Sequence, residues 1–168
     1  MRWDDLFADL AGQWQAQARA ASEDEIRELA HAEAAGIRLV DRIRGLRGAP
    51  ITVRLADGVD LRGSVADAAD EWLLLADGER RHLIPVAAVA AIWPLAGAAP
   101  ASSRVERALG LGYLLRGLAA ERHRVQVRTR AGEHQGTIVR VGADHLDLAT
   151  DAGGLSLPWS GLLCVSSR

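Results

Sequence analysis

The feature that most constrains this chain is an internal repeat. Gly63 and Gly136, Pro85 and Pro158, Val89 and Leu162, and Ile92 and Val165 are each separated by 73 positions. Trp72 and His145 share that spacing, while Val53/Val127 and Gly58/Gly132 are 74 apart, so one residue is lost between the first two strands of the second copy. Ahead of each copy, Arg44-Gly45-Leu46 recurs as Arg116-Gly117-Leu118. Turn, proline and apolar positions that match over so long a span predict a duplicated structural unit. Each copy alone is small, and small domains bury a lesser share of their surface.

The residue period within a copy identifies its elements. Ile51-Thr-Val-Arg-Leu55 alternates apolar and polar, Asp57-Gly58 signals a tight turn, and Val59 to Val65 alternates again. Trp72-Leu-Leu-Leu75 reads as a more buried strand closed by Asp77-Gly78. Arg81 to Ile84 and Val86 to Ile92 complete five short strands, the pattern of a small barrel or roll.

Residues 1–47 read as helical. Trp3, Phe7, Leu10 and Trp14 form one helical stripe. Ser22 to Glu25 fits a capping box. A second helix is predicted from about Glu23 to Arg44, with Ile26, Leu29, Ile37, Val40 and Ile43 on its buried side and Gly45, Gly48 and Pro50 stopping it. Ala96 to Ser103 is a small-residue linker, followed by a helix from Arg104 to about Ala120. The expected organisation is a helical arm and lead-in helix (1–47), a first barrel (48–95), a linker and lead-in helix (96–120) and a second barrel (121–168). The class is α+β: an N-terminal helical arm, then two tandem helix-plus-five-strand barrels.

Residues 51–94 resemble the Sm-like fold, in particular its bacterial Hfq branch, and the small SH3-like barrels share this spacing. The resemblance rests on Val53-x-Leu55-x-Asp57-Gly58, Leu61-x-Gly63-x-Val65 and Asp70-Glu71-Trp72-Leu73-Leu74-Leu75, with Ile84 to Ile92 where the last two strands belong. Residues 125–165 repeat the pattern more loosely. The resemblance implies edge-to-edge assembly and RNA binding, with Trp72 at the place of a base-stacking aromatic. The Lys-His pair used by that branch in uridine recognition is missing from Pro85-Val86-Ala87-Ala88 and from Pro158-Trp159-Ser160-Gly161. The whole chain, opening Trp3-Asp4-Asp5-Leu6-Phe7-Ala8-Asp9-Leu10, also resembles a group of actinobacterial proteins, some labelled Fis-type regulators. There is no helix-turn-helix pattern here to support that label.

Composition narrows the function. The net charge of −2 provides no global attraction for nucleic acid or anionic lipid. A single cysteine, Cys164, excludes an intrachain disulfide. With no basic, apolar leader and no long apolar run, a cytoplasmic, non-membrane protein is expected. No nucleophile elbow, phosphate-binding loop or paired-carboxylate motif appears. His31, His82, His123, His134 and His145 lack metal-ligand spacing. The expectation is therefore no catalytic residue, no metal, no cofactor and no small-molecule substrate.

Two binding signals stand out. Between Arg104 and Arg130 there are seven Arg against two acidic residues, and strand alternation puts Arg124, Gln126, Arg128 and Arg130 on one face. With Arg122 and Trp72 they form the candidate nucleic-acid site. The Trp3, Phe7, Leu10, Trp14 stripe is the candidate protein-interaction site, for a partner or a second copy, because aromatic anchors dominate interfaces. The expected function is a non-catalytic interaction or scaffold protein. The alternative is an RNA- or DNA-binding regulator using the Arg face.

Overall fold

The computed structural model describes residues 22, 25–32, 34–95 and 109–167. The Trp3, Phe7, Leu10 and Trp14 stripe and the linker at 96–103 lie outside the described residues. The chain divides into two units, Met1–Ile37 and Arg38–Arg168.

In the first unit, residues 25–32 and 34–36 are helical. Ser22 is itself helical, where the expected capping box puts it outside the helix. Ile26, Leu29 and Ile37 are exposed, contrary to the buried side expected for them. The single helix expected to reach Arg44 is interrupted. Ile37 and Arg38 leave the helical region, Arg38 adopting φ −82° and ψ 149°. Gly36 stands directly before the break, and glycine is the weakest ordinary helix former.

The second unit opens with α1 (Leu39–Arg44), in which Val40 and Ile43 are buried as the stripe predicts. Five strands follow: β1 (Pro50–Leu55), β2 (Asp60–Ala69), β3 (Trp72–Asp77), β4 (Arg80–Pro85) and β5 (Val89–Trp93). Then come α2 (Leu111–Glu121) and five more: β6 (Arg124–Thr129), β7 (Gly132–Val141), β8 (His145–Thr150), β9 (Gly153–Pro158) and β10 (Leu162–Ser167). Short 3-10 turns, Val86–Ala88 and Trp159–Gly161, precede the last strand of each set.

The strands form one antiparallel sheet in the order β5-β1-β2-β3-β4-β10-β6-β7-β8-β9. Each half therefore has the same internal order, fifth-first-second-third-fourth. The halves are not separate sheets. β4 does not pair with its own fifth strand; it pairs with β10 from the other half. At this seam Leu83 faces Val165, both buried, and His82 Nδ1 lies 2.8 Å from Ser166 Oγ.

The repeat extends to irregularities that alternation alone does not reveal. The β2–β3 register shifts between Val65 and Asp67, and the β7–β8 register between Ile138 and Arg140, again 73 residues on. The bulge of β5 against β1 recurs in β10 against β6. Such bulges bend a strand sharply and increase its twist. The matched glycines have a common physical cause. A Cβ on Gly63 would stand 2.6 Å from the Ala76 carbonyl oxygen, and one on Gly136 closer still to that of Ala149. Only glycine lets the adjoining strand approach so closely.

Two apolar clusters fill the unit, and each borrows from the other half. Leu163 and Cys164 of β10 are buried with Val53, Leu55, Leu73 and Ile84 of the first half. Ala69, Trp72 and Leu83 of the first half are buried with Leu115, Val127, Leu146 and Leu148 of the second.

Candidate functional site

The arginine strand alternates as its sequence predicts. Val125 and Val127 are buried, while Arg124, Gln126 and Arg130 are exposed and Arg128 half-buried. The tertiary structure adds carboxylates opposite them. Arg124 lies 2.5 Å from Asp151. Arg128 pairs with Asp57 of the first half at 3.0 Å and with Glu133. Gln126 Nε2 donates to Glu133 Oε2 at 2.6 Å. Hydrogen bonding to Arg124 holds the Asp151 carboxyl below its ordinary range. Phosphate binding would have to displace these acids, which lowers the gain from each contact. Among the described residues, the side chains of Arg122, at the left-handed residue ending α2, and of Arg130 make no hydrogen bond or ion pair.

Trp72 and His145 open β3 and β8, and each faces the proline that ends the next strand. Their environments differ. Trp72 is 4% exposed, and its Nε1 donates to the Leu109 carbonyl at 2.6 Å. A residue so enclosed cannot stack on a base, so its place is in the core. What covers it is the approach to α2, whose first turn is fixed by Glu71: the Leu111 amide donates to Glu71 Oε2 at 2.8 Å. His145 remains half-exposed and lies 2.8 Å from Asp144 Oδ1.

One polar cluster escapes the sequence reading. On β7, β8 and β9, Arg140 Nε donates to Asp147 at 2.7 Å, and Ser156 Oγ donates to its other oxygen at 2.6 Å. These two hydrogen bonds, Ser156 first, hold the Asp147 carboxyl below its usual range. The counterparts of Asp147 and Ser156, 73 residues earlier, are Leu74 and Leu83. The apolar-to-polar exchange was visible in the repeat alignment, but its meaning depends on which face each strand presents.

Leu74 and Leu83 line a groove of about 670 Å³ with Leu114, Leu118 and Val165. Cys164 is 2% exposed, and burial pushes its thiol up to about 11, leaving no thiolate near neutral pH. Among the described residues no three His, Cys, Asp or Glu side chains converge as a metal site. Among the same residues no helix is long and apolar enough to cross a membrane. Compared with protein-family models and with curated proteins, the chain matches none.

Proposed function

We propose that the chain is a non-catalytic, cytoplasmic interaction or scaffold protein whose two strand sets are Sm-like barrels. The observation that carries this reading is the edge-to-edge join of two equivalent five-strand sets, which among the described residues leaves one strand edge unpaired at each end of the sheet. Open strand edges are surfaces for adding another chain. The Trp3, Phe7, Leu10, Trp14 stripe serves as a second anchor, for a protein partner or another copy. Ion pairing of Arg124 and Arg128 weighs against nucleic acid as the main ligand.

A second reading keeps RNA or DNA as ligand. It is favoured by Arg122 and Arg130, whose side chains make no ion pair among the described residues, beside Arg124 and Arg128 on one stretch of chain. Affinity purification of the full-length protein from its native cell, with and without nuclease, separates the two readings. Protein partners that persist after nuclease, and vanish when Trp3 and Trp14 are changed to Ala, support the scaffold. Recovery of nucleic acid alone, or loss of every partner on nuclease treatment, overturns it in favour of the regulator.

A further inference from the structure

One side of α2 packs on β7, and between the helix and the strands β3, β4 and β10 lies the groove of about 670 Å³. Leu74, Leu83 and Val165 are its strand wall, and Leu114 and Leu118 its helical wall. Leu74, Leu114 and Leu118 are only partly buried, and Tyr113 beside them is 58% exposed. The fold does not require apolar residues here, because the second half carries Asp147 and Ser156 where the first has Leu74 and Leu83. A concave apolar space of this size with a few polar groups has the form of a small-ligand site.

The polar groups of the strand wall stand at one end. Arg81 is two residues from Leu83 on β4, so it shares that face roughly 7 Å along the strand. Ser167 is likewise two residues from Val165 on β10 and faces Arg81 in register. Arg81 Nη1 donates to the Gly78 and Arg80 carbonyls at 2.8 and 2.9 Å, which holds the guanidinium without neutralising it. Arg116 lines the helical wall. Neither arginine makes an ion pair among the described residues, whereas Arg54, Arg124, Arg128 and Arg140 each meet a carboxylate. We propose that the groove binds a free fatty acid, its acyl chain along the four leucines and its carboxylate on Arg81 and the Ser167 hydroxyl. Charge-assisted hydrogen bonds of this kind are the strong ones. Among the described residues one acid, Glu121, also lines the groove. It would repel the further carboxylates of an acidic helix, which favours a ligand with a single anionic end.

Gly117 supports the same occupant. It lines the groove from the interior of α2, where glycine weakens a helix. Its counterpart Gly45 ends α1, but α2 runs on past Gly117 to Glu121. Nothing lies within 4 Å of a Cβ placed there, so no contact among the described residues calls for its small size. A bare stretch of helix facing an apolar groove leaves room for an acyl chain.

The test uses the full-length protein and dodecanoate below its micelle-forming concentration, followed by isothermal titration calorimetry. One molecule should bind per chain. Butyrate, which has the head without the chain, and dodecyltrimethylammonium, which has the opposite charge, should bind roughly tenfold more weakly or worse. Arg81→Gln, at an exposed position, should weaken dodecanoate about tenfold with circular dichroism unaltered. Leu74→Asp, which installs the residue the second half carries there, should abolish saturable binding. Gly117→Ala should raise the melting temperature and yet weaken binding, opposite signs that a purely structural glycine would not give. Phosphatidylglycerol vesicles, the other source of anion-headed chains, should not sediment the protein. Absence of saturable dodecanoate binding, equal binding of the cationic amphiphile, sedimentation with the vesicles, or full affinity in Arg81→Gln or Gly117→Ala each overturns the proposal. The inference is separable from the scaffold reading: dodecanoate binding without captured partners sinks that reading alone, and captured partners without dodecanoate binding sink this one alone.

Discussion

Gly63 and Gly136 show how a single residue sets the close approach of two strands in each half. A methyl group at either position meets a carbonyl oxygen of the next strand, which cannot rotate away as a side chain can. We expect Gly63→Ala and Gly136→Ala each to destabilise the protein by about 1–3 kcal/mol, the usual cost of overpacking, measured by urea unfolding. Gly58→Ala should cost less through crowding, since nothing lies within 4 Å of its added carbon, and should act through its φ of +87° instead. His82 and Cys164 make the seam sensitive to pH. Burial, opposed by Asp77 and reinforced by Arg80, holds the His82 imidazole below its ordinary range. The unfolded chain then binds a proton where the folded chain does not. That part of the stability is whole above about pH 6.5 and is lost as pH falls toward the folded value. Cys164 acts at the other end. With its thiol at about 11 against an ordinary 9.0, its contribution is whole below 9.0 and is lost as pH rises toward 11. Melting temperature should fall on both flanks. His82→Gln should flatten the limb below neutrality, and Cys164→Ala the alkaline limb. Unchanged slopes would show that other groups govern both.

At the scale of elements, α2 joins the halves more firmly than its own sequence suggests. Its first turn is held by Glu71 and its approach by the Trp72 indole, both from the first half. Glu71→Ala should cost about 1 kcal/mol, as loss of a helix cap does. Trp72→Ala should cost about 3–5 kcal/mol, the range for emptying a large aromatic site. A Trp72 variant that kept full stability but lost RNA binding would restore the base-stacking role that its burial argues against. The arginine strand permits the opposite test. Any nucleic-acid binding should be weak and steeply salt-dependent, and changing Arg124, Arg128 and Arg130 to Ala should remove most of it. Filter binding at two salt concentrations checks this, and undiminished binding by the triple variant would place the site elsewhere.

For the whole molecule, the shared cores argue that the second unit unfolds in one step. Residues of β10 complete the first cluster, and Trp72 and Leu83 complete the second, so neither half retains its core when the other is lost. Chemical unfolding followed by Trp fluorescence and by circular dichroism should give coincident transitions. Separate transitions would mean that the halves are independent domains after all. Deleting residues 1–20 removes the Trp3, Phe7, Leu10, Trp14 stripe. We expect the sheet to persist and partner capture to fall, because four large apolar anchors are lost, each worth roughly 1.5–3 kcal/mol when buried. Circular dichroism and pull-down of the truncated chain decide it.

The sequence by itself determined the repeat, the type and order of the strands, the turn glycines and the alternation of Val125 and Val127 against Arg124 and Arg128. These rest on local periodicity: a period of two tells which face of a strand is buried. It does not tell which strand lies beside it. Only the tertiary structure decided that β4 pairs with β10, more than seventy residues away, and so joined the two strand sets in one sheet. The same distance hid the partners of the arginines, since Asp57 and Asp151 come from remote turns. It hid the fate of Trp72 as well, which the family resemblance puts at a base-stacking place until the approach to α2 is laid over it. The helix break at Ile37 and Arg38 is also not legible in the sequence, because the apolar stripe runs on through residues that leave the helical conformation. Local pattern sets the elements, and the pairing of their edges is set by apolar surface that each half lacks and only the other supplies.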